Sequence, residues 1–136
     1  LGAADITEIE FVTTSFDKSD GGTIQARVRF NEPVVVNTSG GTPHLAVTNG
    51  NQGSGSGRGP HNLTYASGTG TNELVFSLTI GAANAATNAG DILVIGANAL
   101  ALNSGTIKDV ATSTTNATIT NSSAIGTAAG SITVAA

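Results

Sequence analysis

Two stretches of this chain alternate strictly between apolar and polar positions. In "GTIQARVRF" (22–30), Ile24, Ala26, Val28 and Phe30 share one face, and Gln25, Arg27 and Arg29 take the other. In "NELVFSLTI" (72–80), Leu74, Phe76, Leu78 and Ile80 point one way, with Ser77 and Thr79 opposite. A period of two is the signature of a half-buried strand in an antiparallel sheet. Shorter runs of the same kind follow. "DITEIEFVT" (5–13) is a strand in which Ile6 and Ile9 compete for the face shared with Phe11. "PVVV" (33–36), "PHLAVT" (43–48, Leu45 and Val47 inward), "NLTYA" (62–66), "GTIKDV" (105–110), "NATIT" (116–120) and "GSITV" (130–134) are further strand segments. "DILVIGANALAL" (91–102) reads as a strand over 92–95 and then a turn or short helical piece through Ala99.

The segments between these runs are rich in turn residues: "DKSDGG", "NTSGGTP", "SGTGTN", "AANAATNAG" and "LNSG". Glycine accepts positive φ, and Asn and Asp bond their own backbone, so such stretches punctuate strands. Helix signals are nearly absent, because Thr, Ser, Gly, Asn and Val are poor helix formers. "AANAATNAG" permits a single helical turn. Short strands about ten residues apart, with no 20–50-residue repeat, predict an all-β fold, an antiparallel two-sheet β-sandwich or a barrel. The expected organisation is one domain over 1–136 with flexible ends at about 1–4 and 121–136.

Composition narrows the core. Aromatics make up 4% of the chain, with four Phe, one Tyr and no Trp, so Val, Ile, Leu and Ala must fill most of the interior. Charged residues are 10%. The net charge is 5 − 9 = −4, and the five basic residues are scattered, which argues against a nucleic-acid backbone as partner. Without cysteine there can be no disulfide, thiol chemistry or thiolate metal site. No stretch reaches the length of a membrane-spanning helix, so no membrane insertion is expected.

The stretch "TNGNQGSGSGRGPHNLTY" (48–65) holds five glycines between Gly50 and Gly59. A dinucleotide cradle needs G-x-G-x-x-G between strand and helix, and a Walker loop needs Gly-Lys-Ser/Thr. The glycines here stand at 53, 55, 57 and 59 with no helix after them, and the only base is Arg58. Strands flank the stretch on both sides, so a loop between two strands fits better than a linker between domains. As a site it offers Arg58 and His61 as contact groups, with Gly55 and Gly57 allowing close approach. Against that stands the entropy of ordering so many glycines.

Other chemistry is sparse. His44 and His61 are the only histidines, and neither has a second ligand at zinc spacing. No sequence pattern supports a Ser-His-Asp site. A glycosidase carboxylate pair would lack the usual aromatic platforms. Calcium is the one cofactor left open. Its best local ligands are Asp17 and Asp20 with the backbone of Gly21 and Gly22, and Glu32 and Asp109 could approach at one end of a sandwich. Four Asn-x-Ser/Thr sequons, at Asn37, Asn62, Asn116 and Asn121, are what this composition yields by chance.

Several segments fall into a recognisable order: Phe30-Asn31-Glu32-Pro33-Val34, Thr42-Pro43-His44-Leu45-Ala46-Val47, Tyr65-Ala66-Ser67-Gly68-Thr69-Gly70-Thr71 with Leu74-Val75-Phe76, and Asn103-Ser104-Gly105-Thr106-Ile107-Lys108-Asp109. Over roughly residues 5 to 120 this series resembles the bacterial Ig-like, cadherin-like repeat of large cell-surface adhesins, a domain type also found in small virion proteins of tailed phages. The resemblance implies an Ig-like antiparallel two-sheet sandwich without enzyme activity. It also implies calcium at domain ends in the adhesin members. This chain departs from the pattern at Gly81-Ala82-Ala83-Asn84, where acidic residues are usual, and at Val110-Ala111-Thr112, where a Gly-Asn turn is usual. Both departures remove oxygen ligands.

The expected function is that of a structural virion protein. Such a protein decorates or cements a capsid, or belongs to a tail or fibre, and it binds a major capsid protein or its own copies through loops, strand edges and both termini. A cell-surface adhesin module is the alternative, with an extracellular location. A carbohydrate-binding module is disfavoured by the single Tyr and absent Trp.

Overall fold

The structure is a computed structural model that describes residues 3–51, 60–84, 86–112 and 114–135. Its centre is the pair of alternating stretches. β3 (Gly22–Phe30) and β7 (Glu73–Ile80) pair antiparallel from Gly22↔Ile80 to Arg29↔Glu73. Ile24, Ala26, Val28, Leu74 and Phe76 are fully buried, as their alternation requires, while Leu78 is only partly covered.

β1 (Ile6–Phe11) pairs with β3 and resolves the competition between Ile6 and Ile9. The register shifts between Ile6 and Glu8, a bulge that inserts one residue and flips parity. Ile6, Ile9 and Phe11 therefore all face the core. β2 (Phe16–Asp17), which local sequence did not announce, follows after a short break.

β4 (Val34–Asn37) pairs with β10 (Thr106–Asp109) as a separate two-stranded sheet. β5 (His44–Asn51) changes partners along its length. Its first half pairs with β6 (His61–Ser67) and β9 (Leu100–Ala101), and its second half pairs with β8 (Asp91–Val94). That exchange curls the large sheet, whose order is β1-β3-β7-β6-β5-β8-β11-β2. The fold is thus all-β, a curled multi-strand sheet with a small second sheet.

Residues 121–135, within the end expected to be flexible at 121–136, include regular elements. This stretch contains α1 (Ser123–Ala128), capped by the Ser122 side chain on Ile125 N–H, and β11 (Ser131–Ala135). β11 lies between β8, antiparallel, and β2, parallel, with Ile132 and Val134 buried. Asn121 fastens the entry to α1. Its Oδ1 accepts from Ala99 N–H, and its Nδ2 donates to the Gly96 and Ser122 carbonyls. At the other end, Ala4 is also buried, and its N–H donates to Asp109 Oδ1 at 2.9 Å.

All four phenylalanines join the aliphatic core. Tyr65 sets its ring edge-on to Phe76, with centroids 6.1 Å apart, and its hydroxyl accepts from Thr69 N–H. At the turn after β2, Gly21 has φ +70 and lies against the Ile80 carbonyl, where a side chain would collide.

Candidate functional site

The inward positions of β5, β6 and β8 are apolar until one end of the core is reached, and there they become polar. Leu45 and Val47 lead to Asn49, Leu63 is preceded by His61, and Leu93 is preceded by Asp91. These side chains connect. Asn49 Nδ2 stands 2.9 Å from His61 Nε2 and 3.0 Å from Asp91 Oδ2. The Asn88 N–H donates to the same Asp91 oxygen at 2.8 Å. Asp91 is 0% exposed and His61 7%.

Asp91 Oδ1, Asn49 Oδ1 and the hydroxyl of buried Thr87 have no hydrogen-bond partner among the described residues. Burial disfavours the imidazolium and pushes the His61 pKa below its ordinary value, with the Asp91 charge pulling the other way.

His61, expected as an exposed contact group of the glycine loop, is instead the first residue of β6 and faces inward. The reason is parity: it shares the face of Leu63, which is fully buried. The other proposed contact residues, Gly55, Gly57 and Arg58, lie outside the described residues. His44 does not meet His61. It pairs with Thr64 at one end of the β5–β6 ladder, whereas His61 pairs with Val47 at the other.

Asp17 and Asp20 do come together with Gly21 and Gly22, beside Thr133, around an open hollow of about 420 Å³. The Asp17 carboxylate is already engaged. Its Oδ1 accepts from Ser19 N–H and Ser19 Oγ–H, which hold its pKa below the usual carboxylate range. This is the local geometry of a turn-forming aspartate. Among the described residues, no group of three or more His, Asp or Glu is placed to hold a metal ion.

The outward face of β1, β3 and β7 carries a charge ladder. Glu10 pairs with Arg27, Arg27 with Glu73, and Glu73 with Arg29 at 2.7 Å, while Glu8 stands 4.0 Å from Arg29. The two arginines were legible as outward positions. Their three acids come from both neighbouring strands. Lys18 donates to the Thr87 and Asn84 carbonyls. By contrast, the outward positions of β8 and β11 are uncharged: Val94, Ser131, Thr133 and Ala135.

Asn49, Asp91 and Thr87 were missed in the sequence. The available signal was a polar residue at an inward position of an alternating run, in "PHLAVTNG" and "DILV". Compared with known proteins, the chain matches no family model, no curated protein and no solved structure.

Proposed function

We propose that this chain is an Ig-like β-sandwich acting as a non-enzymatic structural subunit of a phage virion. It would bind neighbouring subunits, such as a major capsid protein, through loops and uncharged faces. The Ig-like reading draws on strand order. An immunoglobulin-type sandwich takes strands A, B, E and D in one layer and C, F and G in the other. β1, β3, β7 and β6 correspond to the first set, and β5, β8 and β11 to the second. β2 extends the second set by parallel pairing with β11, so the N-terminal stretch serves both layers.

The observation that carries the functional reading is how six of the nine carboxylates are engaged. Glu8, Glu10 and Glu73 face Arg27 and Arg29. Asp17 holds Ser19, Asp91 holds Asn49 and Asn88, and Asp109 holds Ala4. Oxygens committed in this way favour a self-contained unit over a repeat joined to its neighbour through calcium.

Strand addition is a weaker mode of attachment than face or loop docking. Thr118 bridges Asp5 just ahead of β1, the Phe11 N–H at the other end of β1 donates to the Ala129 carbonyl, and β2 is only two residues long. The test is sedimentation velocity and thermal melting of the purified chain in calcium and in EDTA. A monomer that melts at the same temperature in both supports the virion subunit. Calcium-driven assembly, or a large rise in melting temperature with calcium, moves the assignment to the adhesin module.

A further inference from the structure

We propose that Asn49, His61 and Asp91 form a protonation-operated clasp. With His61 neutral, the Asn49 amide ties β6 to β8 across β5. With His61 protonated, the tie breaks and this end of the β5–β6 ladder is released.

The argument rests on donor counting. An amide NH2 has two protons. Asn49 Nδ2 directs one to Asp91 Oδ2 and the other to His61 Nε2. The carboxylate fixes which way the amide points, because a flipped amide would set its oxygen against the Asp91 oxygen. His61 Nε2 must therefore accept, which assigns the neutral tautomer with its proton on Nδ1. A second ring proton would place N–H against N–H at 2.9 Å inside the protein.

The location gives the clasp its effect. Among the described residues the β5–β6 ladder runs out to Val47↔His61, and the β5–β8 ladder begins at Thr48↔Val94. The Asn49 amide is the side-chain bridge at that change of partner. Among the described residues, the elements packed around the ring supply little that could compensate. Asp91 comes from β8, and Lys18, from the turn after β2, is held on the Asn84 and Thr87 carbonyls. The inward residues Leu45, Val47, Leu63, Phe76, Leu93 and Ile132 are apolar.

The sign of the pH effect follows from burial. The folded state holds His61 below its ordinary pKa, so the unfolded or opened chain binds the proton first. Stability from the clasp is complete above about pH 6.5, the ordinary histidine value, and declines below it until the folded ring also titrates. While only the open form takes the proton, the opening equilibrium rises by up to about tenfold per pH unit.

Two measurements test this on the intact chain. Side-chain 15N shifts at pH 7.5 should show His61 protonated on Nδ1 and bare on Nε2. The Nε2–H tautomer, or a ring that is still charged at pH 7.5, overturns the clasp. Amide hydrogen exchange of Val47–Asn49 and His61–Leu63, corrected for intrinsic rates, should show protection falling several-fold from pH 7 to pH 5.5. In His61→Gln, whose side-chain oxygen can still accept from Asn49, that fall should vanish. An equal fall in the variant, or none in the wild type, contradicts the proposal.

Discussion

Replacing Asn121 by alanine tests the C-terminal third of the fold. The side chain makes three hydrogen bonds, to Ala99 N–H at 2.9 Å, the Gly96 carbonyl at 3.0 Å and the Ser122 carbonyl at 2.9 Å. Ser122 is exposed and its carbonyl recovers water cheaply, whereas Ala99 is 6% exposed and its N–H is left unpaired. An unsatisfied buried donor costs about 1–3 kcal/mol, and each ordinary hydrogen bond contributes about 1 kcal/mol net. Together these give about 3 kcal/mol. At roughly 4 °C per kcal/mol for a domain of this size, the melting temperature falls by about 12 °C. Calorimetry at pH 7.5 measures it, with the exposed Asn62→Ala on β6 as a control expected within about 0.5 kcal/mol. A loss below about 1 kcal/mol for Asn121→Ala refutes the role of this residue as the pin of the C-terminal segment.

Three further outcomes are expected. Gly126→Ala should destabilise by more than about 2 kcal/mol in denaturant melts, although alanine is intrinsically the better helix former by about 1 kcal/mol; a Cβ there would press into the Ile95 and Gly96 carbonyls, and a stabilised variant would contradict this docking of α1. Arg29→Ala should raise the Glu73 pKa toward its ordinary value, because the Arg29 hydrogen bond is the main cause of its depression; that pairing contributes above the unfolded carboxylate pKa and is lost as pH falls through the folded value, and an unmoved NMR titration would refute it. Ending the chain after Gly130 should abolish cooperative folding, since burying Ile132 and Val134 contributes about 1.5–3 kcal/mol each against a total of about 5–15 kcal/mol; a dispersed amide spectrum from the shortened chain would contradict it.

The strands that were legible are those whose own alternation decides their burial. β3 and β7 could be drawn residue by residue, because four inward apolar positions outweigh any other arrangement. β1 was legible as a strand but not in register, since a bulge is a property of the pair and not of one segment. α1 was obscured by composition, whereas β11 was legible as the strand "GSITV" and only its partners were not. "SSAIGTAAGSITV" has few large apolar residues, and its order comes from Asn121, 22 positions from the Ala99 that it holds, and from partners β8 and β2. The polar cluster was hidden for the same reason. Asn49 and Asp91 lie 42 residues apart, and only the exchange of β5 from β6 to β8 brings them together with His61. The charge ladder likewise needed two neighbouring strands to supply acids to Arg27 and Arg29.

In the proposed reading, a unit whose outer strands are short or covered binds by its faces and loops, and β11 is the strand that completes the large sheet toward β2. The most direct measurement is amide exchange and cross-strand nuclear Overhauser contacts at β11. Contacts between Phe16 and Val134, and between Leu93 and Ile132, with slow exchange at Ile132 and Val134, are the predicted result. Random-coil shifts and unprotected amides over 131–135 would contradict it, and would return the C-terminal segment to the role of a free strand able to pair with a neighbouring subunit.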